Sequence, residues 1–286
     1  MTGGGNGAHG VPGAGVTHLV LTRFNVRWIV GPHDTGWLAH RFDLFERYCL
    51  PSMQGQTNQG FRWLVFFDED TPEPFRSRID GYTDWPAFTP VFIGPPSSQV
   101  YDDAIAAHLD GADRLVTTRL DNDDALARDV VERIQSGVRP GPREFLNLPV
   151  GYVWHRGRLY RHSHPSNAFL SLSEPAEGFR SVWADPHEEA SHVAPVRQLA
   201  GGPAWLQVIH EHNVSNRVRG RRDPADRVRG VFTLDLGAEA TDETAADRWH
   251  DRVVGHPARV VRDGAIRVAK PVRGVAERAV TAVRRR

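Results

Sequence analysis

The sequence has little sulfur, no excess of charge and no long apolar run. Its single cysteine, Cys49, excludes an intramolecular disulfide framework. The formal net charge is zero and 40% of residues are apolar, so the composition favours neither a disordered chain nor a nucleic-acid partner. No stretch approaches the roughly 20 apolar residues of a membrane-spanning helix, and the amino terminus shows no signal pattern. We therefore predict a cytoplasmic protein.

Three segments differ in composition. Residues 1–15 are rich in glycine and lack periodicity, which predicts a disordered arm. Residues 16–222 carry short apolar runs and helical patterns, which predict one folded domain. Residues 223–286 turn acidic and then basic, which predicts a carboxyl-terminal extension.

The end of this extension has the pattern of a basic amphipathic helix. Ten basic residues lie between Arg252 and Arg286, against Asp263 and Glu277. Valine and alanine at 272, 275, 276, 279, 280 and 283 would form an apolar stripe. Such a helix can lie on an anionic membrane, which predicts peripheral contact with the inner face of the membrane. A helix that docks on its own domain explains the pattern equally well.

The first half of the chain alternates between short apolar runs and helical patterns. The runs lie at 19–21, 63–67, 90–94 and 115–118. Helices are expected from the spacing of Leu38, Phe42, Phe45 and Cys49, with Pro51 as the stop, and also a short one opened by Thr71-Pro72, one at 101–109 and one from Ala125 onward. This alternation predicts an α/β fold with a parallel sheet covered by helices.

In the second half of the chain, strand and hairpin patterns replace the alternation of strands and helices. Apolar runs at 152–154 and 158–160 flank His155-Arg156-Gly157, which predicts a hairpin. Further strands are expected at 169–172 and 205–209. We therefore predict a mostly parallel central sheet with an added antiparallel part.

Polar residues follow three of the four predicted parallel strands. These clusters are Arg23 to Asn25, Asp68 to Asp70 and Asp121-Asn122-Asp123-Asp124. Ligands of parallel α/β sheets bind outside the carboxyl ends of the strands. Alternation along an extended segment puts Asp121 and Asp123 on the same side. Paired carboxylates suit Mn²⁺ or Mg²⁺, which can bridge the oxygens of a diphosphate leaving group.

A capping role is the alternative for this acidic motif. Asp123 or Asp124 would then accept hydrogen bonds from the first amides of a helix that begins near Ala125. On the motif alone, capping would be the better interpretation. Its position directly after a buried strand favours the metal.

The segment Arg119-Leu120-Asp121-Asn122-Asp123-Asp124-Ala125-Leu126 resembles GT-A glycosyltransferases and, more closely, the putative rhamnosyltransferase family of bacterial enzymes. Similar segments follow the same order at 22–25, 48–56, 61–68, 165–172 and 205–220. The resemblance implies a GT-A-like nucleotide-binding fold, a nucleotide-sugar donor and a glycan or other hydroxyl acceptor. The family name implies rhamnose carried on deoxythymidine diphosphate.

The resemblance also implies roles for individual residues. Asp121 and Asp123 fall on the metal-binding pair, with His210 as a further ligand and His212 as its alternative. A histidine hydrogen-bonded in or near the core explains His210 equally well. Asp68 falls where GT-A enzymes place a carboxylate near the nucleotide. The predicted donor-binding set is Arg23, Asp68, Arg119, Asp121, Asn213, Asn216 and Arg217.

An inverting transfer needs a base that takes the proton of the acceptor hydroxyl. Glu174, just beyond the run at 169–172, is the first candidate. Asp185 and Glu188 compete with it, and for all three an ordinary solvated carboxylate is the simpler interpretation.

Two other classes of function use similar features. A metal-dependent phosphohydrolase or nucleotidyltransferase also has paired carboxylates at strand ends. A nucleotide-sugar-binding module without catalysis would keep the fold, although the intact acidic motif argues against it.

Overall fold

A computed structural model of the protein describes residues 15–27, 34–210, 217–234 and 236–264. The described chain divides into two compact units, one within residues 1–151, 163–208 and 228–235, the other within 152–162, 209–227 and 236–286. Residues 1–14 of the expected arm and the apolar stripe from 272 to 283 lie outside the described residues. The three-segment division stays a prediction.

Strands and helices alternate in the first part of the chain, as the apolar runs predict. In order they are β1 (Val16–Arg23), α1 (Thr35–Leu44), a π-helical turn (Phe45–Cys49), α2 (Leu50–Gln54), β2 (Arg62–Asp68), α3 (Glu73–Asp80), β3 (Phe88–Ile93), α4 (Ser98–Ala106), β4 (Arg114–Arg119), β5 (Ala125–Leu126) and α5 (Val130–Gly137).

The later part is richer in strands. It contains β6 (Glu144–Asn147), β7 (Val150–His155), β8 (Arg158–Ser163), β9 (Ser171–Pro175), a 3₁₀ turn (His187–Glu189), α6 (Ala190–Val193), β10 (Val196–Gln198), β11 (Trp205–Ile209), β12 (Arg221–Asp223), two 3₁₀ turns (Ala225–Val228 and Gly237–Glu239), α7 (Ala245–His250) and a π-helical turn (Asp251–Gly255). The predicted hairpin is confirmed, with left-handed φ angles of 49° at Arg156 and 75° at Gly157.

A seven-stranded sheet in the order β10-β6-β9-β4-β1-β2-β3 forms the centre of the first unit. β1 is parallel to β2 and to β4, and β2 is parallel to β3. β9 is antiparallel to both β4 and β6. The predicted mixed α/β fold, mostly parallel with an antiparallel addition, is confirmed.

The strand order reverses direction at β1. The chain passes outward from β1 through β2 to β3, and then returns to the other side of β1 with β4. Such a reversal leaves a crevice between the carboxyl ends of the two strands, where open α/β sheets bind their ligands. The crevice between β1 and β4 is therefore where the fold predicts a site.

Both faces of β1, β2 and β4 are buried, which explains their continuous apolar runs. Leu64 and Phe66 of β2 belong to a core cluster that also contains Tyr101 of α4. The neighbouring Trp63 stacks at 5.3 Å on Phe45, which follows α1. Helices before and after β2 thus cover opposite faces of the sheet and fix the positions of the strand ends.

Two predicted element boundaries are wrong. Pro51 does not end the first helix, because the π-helical turn before it widens the helix and α2 continues to Gln54. No helix begins at Ala125 either. Ala125 and Leu126 instead pair in antiparallel fashion with Leu206 and Trp205 of β11, so the helix starts only at Val130.

Candidate functional site

Arg23 is the last residue of β1, at the mouth of the crevice. Its guanidinium lies over the ring of Trp183 at 4.4 Å and over that of Tyr101 at 4.9 Å. Within the described residues, this guanidinium makes no hydrogen bond or ion pair. Its planar face is therefore held by aromatic rings while its N–H groups can donate to a ligand.

Arg119 and Asp121 lie across the crevice, at the end of β4. Nη2 of Arg119 is 3.2 Å from Oδ2 of Asp121, and the Asp121 side chain is 45% exposed. Both residues interact electrostatically with Arg23. The crevice thus brings together two guanidinium groups and one accessible carboxylate, all three of them predicted donor-binding residues.

Asp68 ends β2, the strand beside β1. Its carboxylate accepts two hydrogen bonds from Arg27, at 2.8 and 3.0 Å, and one from the amide of Asp70 at 2.9 Å. The side-chain oxygen of Asn25 accepts from the amide of Asp68 at 3.1 Å. The residue is buried, so its carboxylate orders the polar groups around it, and Arg27 is a member that the sequence did not predict.

The segment from Arg180 to Glu189 contributes side chains to the same place. Nδ1 of His187 is 3.2 Å from Oε2 of Glu188. Burial lowers the pKa of His187, whereas the negative charge of Glu188 raises it. His187 also interacts electrostatically with Arg119 and Asp121. Glu188 interacts electrostatically with Arg119 as well. Glu188 was a competing candidate for the base, whereas His187 was missed.

Glu174 has a different role from the predicted base. Its carboxylate is fully buried, is 2.6 Å from Nε of Arg143, and accepts the amide hydrogens of Arg180 and Ser181 at 3.1 and 2.9 Å. In the sheet it lies opposite Leu115, at the start of β4, whereas Asp121 follows the end of that strand. We correct the assignment, because a buried, fully engaged carboxylate at the wrong end of the strand cannot reach a substrate in the crevice.

Asp185, the second predicted catalytic residue, belongs to the segment that Glu174 anchors. Its Oδ2 accepts a hydrogen bond from Arg180 at 3.0 Å, and its side chain is 27% exposed. A second anchor is the amide of Val182, which donates to Oγ1 of Thr117 at 2.8 Å. Asp185 therefore remains a candidate for the base.

The second carboxylate of the acidic motif is bound by an arginine. Nη1 of Arg41, on α1, is 2.9 Å from Oδ2 of Asp123, and the two side chains are only 13% and 7% exposed. Nη2 of Arg41 donates to Oδ1 of Asn122. Nδ2 of Asn122 in turn donates to the carbonyl oxygen of Phe24 at 3.0 Å, which ties the motif to the end of β1.

Asp124 is turned into the protein. Its Oδ1 accepts the amide hydrogen of Val208 at 2.8 Å. Burial raises the pKa of its carboxyl well above the usual value, and the charges of Asp123 and Asp121 raise it further. Asp124 thus fixes β11 beside the motif, and it caps no helix, because the segment from Ala125 is a strand.

These contacts test whether the motif fits a divalent cation. Asp121 is accessible, but Asp123 is engaged by Arg41 and Asp124 by a backbone amide. Across the ranges that the structure describes, no three His, Cys, Asp or Glu side chains are grouped to hold a metal ion. The described carboxylates do not fit the predicted two-aspartate site, and the metal stays a prediction of the sequence.

The remaining predicted residues lie elsewhere. His210 and Arg217 belong to the second unit. Asn213, Asn216 and the alternative ligand His212 lie outside the described residues. Their predicted roles stay predictions.

Cys49 is buried, as its apolar pattern predicts. Burial raises the pKa of its thiol, and the charges of Asp124, Asp123 and Asp121 raise it further. Its Sγ donates to the carbonyl oxygen of Asp121 at 3.6 Å. A protonated thiol in this position supports the motif and is a poor nucleophile.

A sequence model of a family described as putative rhamnosyl transferase matches residues 31–222 of this chain. A search of curated proteins gives no match. Among the described helices, none combines the length and apolar character needed to cross a membrane.

Several solved structures are loosely similar. TarS 1–349 of S. aureus in complex with UDP shares 8% identity, with 68% of this chain and 60% of that chain covered and a TM-score of 0.43. HddC from Yersinia pseudotuberculosis shares 8% identity, with 67% and 93% covered and a TM-score of 0.38. A putative nucleotide-diphospho-sugar transferase from Desulfovibrio desulfuricans G20 shares 11% identity, with 67% and 82% covered and a TM-score of 0.35.

Proposed function

The chain belongs to the putative rhamnosyl transferase family and is a glycosyltransferase, and we propose that its donor is a nucleoside-diphosphate sugar bound between β1 and β4. The observation that carries this proposal is the pair of guanidinium groups, Arg23 and Arg119, at the point where the strand order reverses. The fork of an arginine matches two phosphate oxygens at once. Following the family name, deoxythymidine-diphosphate rhamnose is the first donor to test.

The proposed transfer follows from charge balance. The bond between the anomeric carbon and a diphosphate oxygen breaks, and the diphosphate leaves with the electron pair. Arg23 and Arg119 stabilise the negative charge that grows on the leaving group. Asp121 keeps the Arg119 fork in place and can accept a hydroxyl hydrogen of the donor.

The acceptor hydroxyl attacks the anomeric carbon and gives its proton to a base. We assign this role to His187. Its Nδ1–H donates a hydrogen bond to Glu188, which leaves Nε2 of the neutral ring as the proton acceptor. Support comes from the lowered pKa of His187, caused first by burial, which keeps the ring neutral at pH 7. A glycan or another hydroxyl compound is the acceptor class.

A ligand screen and product analysis test this function. Thermal shift with nucleoside-diphosphate sugars identifies the donor, because a ligand that binds only the folded state raises the Tm. Incubation with that donor and candidate acceptors should yield a glycoside and free nucleoside diphosphate. Release of phosphate or pyrophosphate would instead indicate the phosphohydrolase or nucleotidyltransferase, and binding without turnover a non-catalytic module.

The second unit suggests contact with a membrane surface. From α7 to residue 264 the chain is helical, and its exposed apolar residues include Trp249 at 65%, Val260 at 56% and Val261 at 72%. Asp251 and Arg259, on its other side, contact the rest of the unit: the amide of Arg222 donates to Oδ2 of Asp251 at 3.1 Å, and Nη2 of Arg259 donates to the carbonyl oxygen of Gly220 at 3.0 Å. The helix therefore presents its apolar side outward.

We propose an anionic lipid surface as the partner of this apolar side. The sequence from 265 to 286 adds seven basic residues against Glu277 alone, which matches anionic head groups. The protein should sediment with phosphatidylglycerol vesicles and not with phosphatidylcholine vesicles. Trp249→Ser should weaken sedimentation, whereas Trp85→Phe, in the first unit, should not. Equal sedimentation of wild type and Trp249→Ser, or a stable dimer with no vesicle binding, would refute this proposal.

A further inference from the structure

We infer that Arg41 supplies at Asp123 the positive charge expected from a divalent cation, so that this glycosyltransferase needs no metal between Asp121 and Asp123. The inference rests on the proposed donor site and concerns how its acidic motif works. Its basis is the ion pair between Arg41 and Asp123 and the additional hydrogen bond from Arg41 to Asn122.

The arginine is fixed from several sides. It lies in the last turn of α1, whose first turn is capped by the Asp34 side chain, an acceptor for the amide of Trp37 at 2.9 Å. The same guanidinium bonds two successive residues of the motif, Asn122 and Asp123. This arrangement sets the conformation of the motif before any ligand binds.

A cation at Asp123 would have to displace this guanidinium. Both side chains are largely buried, and a buried charge without its partner is strongly unfavourable. Asp121 meanwhile faces Arg119 and is exposed. The two aspartates therefore have separate cationic partners rather than one shared ion.

Positive charge for the diphosphate is available without a metal. Arg23 has free N–H groups among the described residues, and Arg119 borders the same crevice. Guanidinium groups aimed at developing phosphate charge do the electrostatic work that a metal does in other transferases. The motif then serves to hold the arginines in position.

Manganese binding gives a test that does not depend on activity. Electron paramagnetic resonance should show weak Mn²⁺ binding by the wild-type protein, with and without added nucleoside diphosphate. Arg41→Gln removes the guanidinium from the Asp123 carboxylate and should tighten Mn²⁺ binding by about tenfold or more. Arg41→Lys keeps the charge and should resemble the wild type. Arg78→Gln, which breaks a similar ion pair with Glu46 on the surface, should not alter Mn²⁺ binding.

Measurements of sugar transfer give a second test of the inference. Sugar transfer by the wild type should be unchanged by EDTA, whereas Arg41→Gln should lose activity and regain part of it with Mn²⁺. Tight Mn²⁺ binding by the wild type, or loss of its transfer in EDTA with recovery on Mn²⁺, overturns the inference. If Arg41→Gln does not fold, the wild-type titration alone decides. A protein that transfers no sugar under any condition would instead refute the proposed function, and the Mn²⁺ titration would keep its meaning.

Discussion

Replacing Arg23 by glutamine removes a guanidinium that is stacked on aromatic rings and free to donate among the described residues. Glutamine keeps a polar side chain of similar reach but has neither the charge nor the fork. A hydrogen bond to a charged group contributes about 1.5–3 kcal/mol, so the loss of one or two to the diphosphate costs about 2–4 kcal/mol. The expected fall in kcat/KM for the donor is roughly 30- to 1,000-fold.

The assay is steady-state kinetics with varied donor at saturating acceptor. If Arg23 stabilises charge that grows on the leaving diphosphate, kcat falls as well as donor affinity. Arg62→Gln is the matched control, because Arg62 begins β2, away from the carboxyl ends of the strands, and pairs at the surface with Asp110. Equal kcat/KM for Arg23→Gln and Arg62→Gln would refute the donor site proposed here.

Three further predictions concern Trp183 and His187 at the crevice and His18, which is buried within β1. Trp183→Leu should raise the donor KM by roughly 2- to 30-fold, because the cation–π contact that holds Arg23 contributes about 0.5–2 kcal/mol; in an Arg23→Gln background it should add nothing. His187→Gln should abolish most of kcat, and the wild-type kcat should fall only at pH below about 6.5, since burial lowers the pKa of His187 and the base must be neutral; a pH–rate profile unchanged in the variant contradicts this. Burial lowers the pKa of His18 to about 3, whereas the unfolded chain takes up that proton below about 6.5, so stability is complete above pH 6.5 and is lost as the pH falls toward 3. Urea unfolding should show a loss of about 2 kcal/mol from this residue between pH 7 and 5, and His18→Gln should flatten it.

The strand ends could be predicted from the sequence because the signal is local. An apolar run followed at once by Arg23, or by Asp121, identifies the carboxyl end of a buried parallel strand. Chain direction then brings such ends to one edge of the sheet. The partners of these residues carry no local signal. Arg41 is 82 residues from Asp123, and Arg27 is 41 residues from Asp68.

The direction of β9 also explains why the assignment of Glu174 as the catalytic base is wrong. The sequence places Glu174 after a strand that follows the acidic motif, which suggests the ligand edge if the strand is parallel. β9 is antiparallel to β4, so its end lies at the opposite edge. The strand at Ala125 was missed for a related reason. Its apolar residues continue the helical spacing of Val130 and Ile134, and only the pairing with β11 makes it a strand.

The anchoring of residues 180–182 has a consequence for how inactive variants are interpreted. Glu174 holds the amides of Arg180 and Ser181, and Trp183 then reaches Arg23. An alanine at 174 would release this segment and loosen the arginine at the crevice, although no atom of Glu174 meets the substrate. Lost turnover in such a variant would imitate the removal of a proton acceptor. If the residual rate keeps a normal pH profile while the donor affinity is weakened, Glu174 supports the segment at a distance from the substrate and is not the proton acceptor.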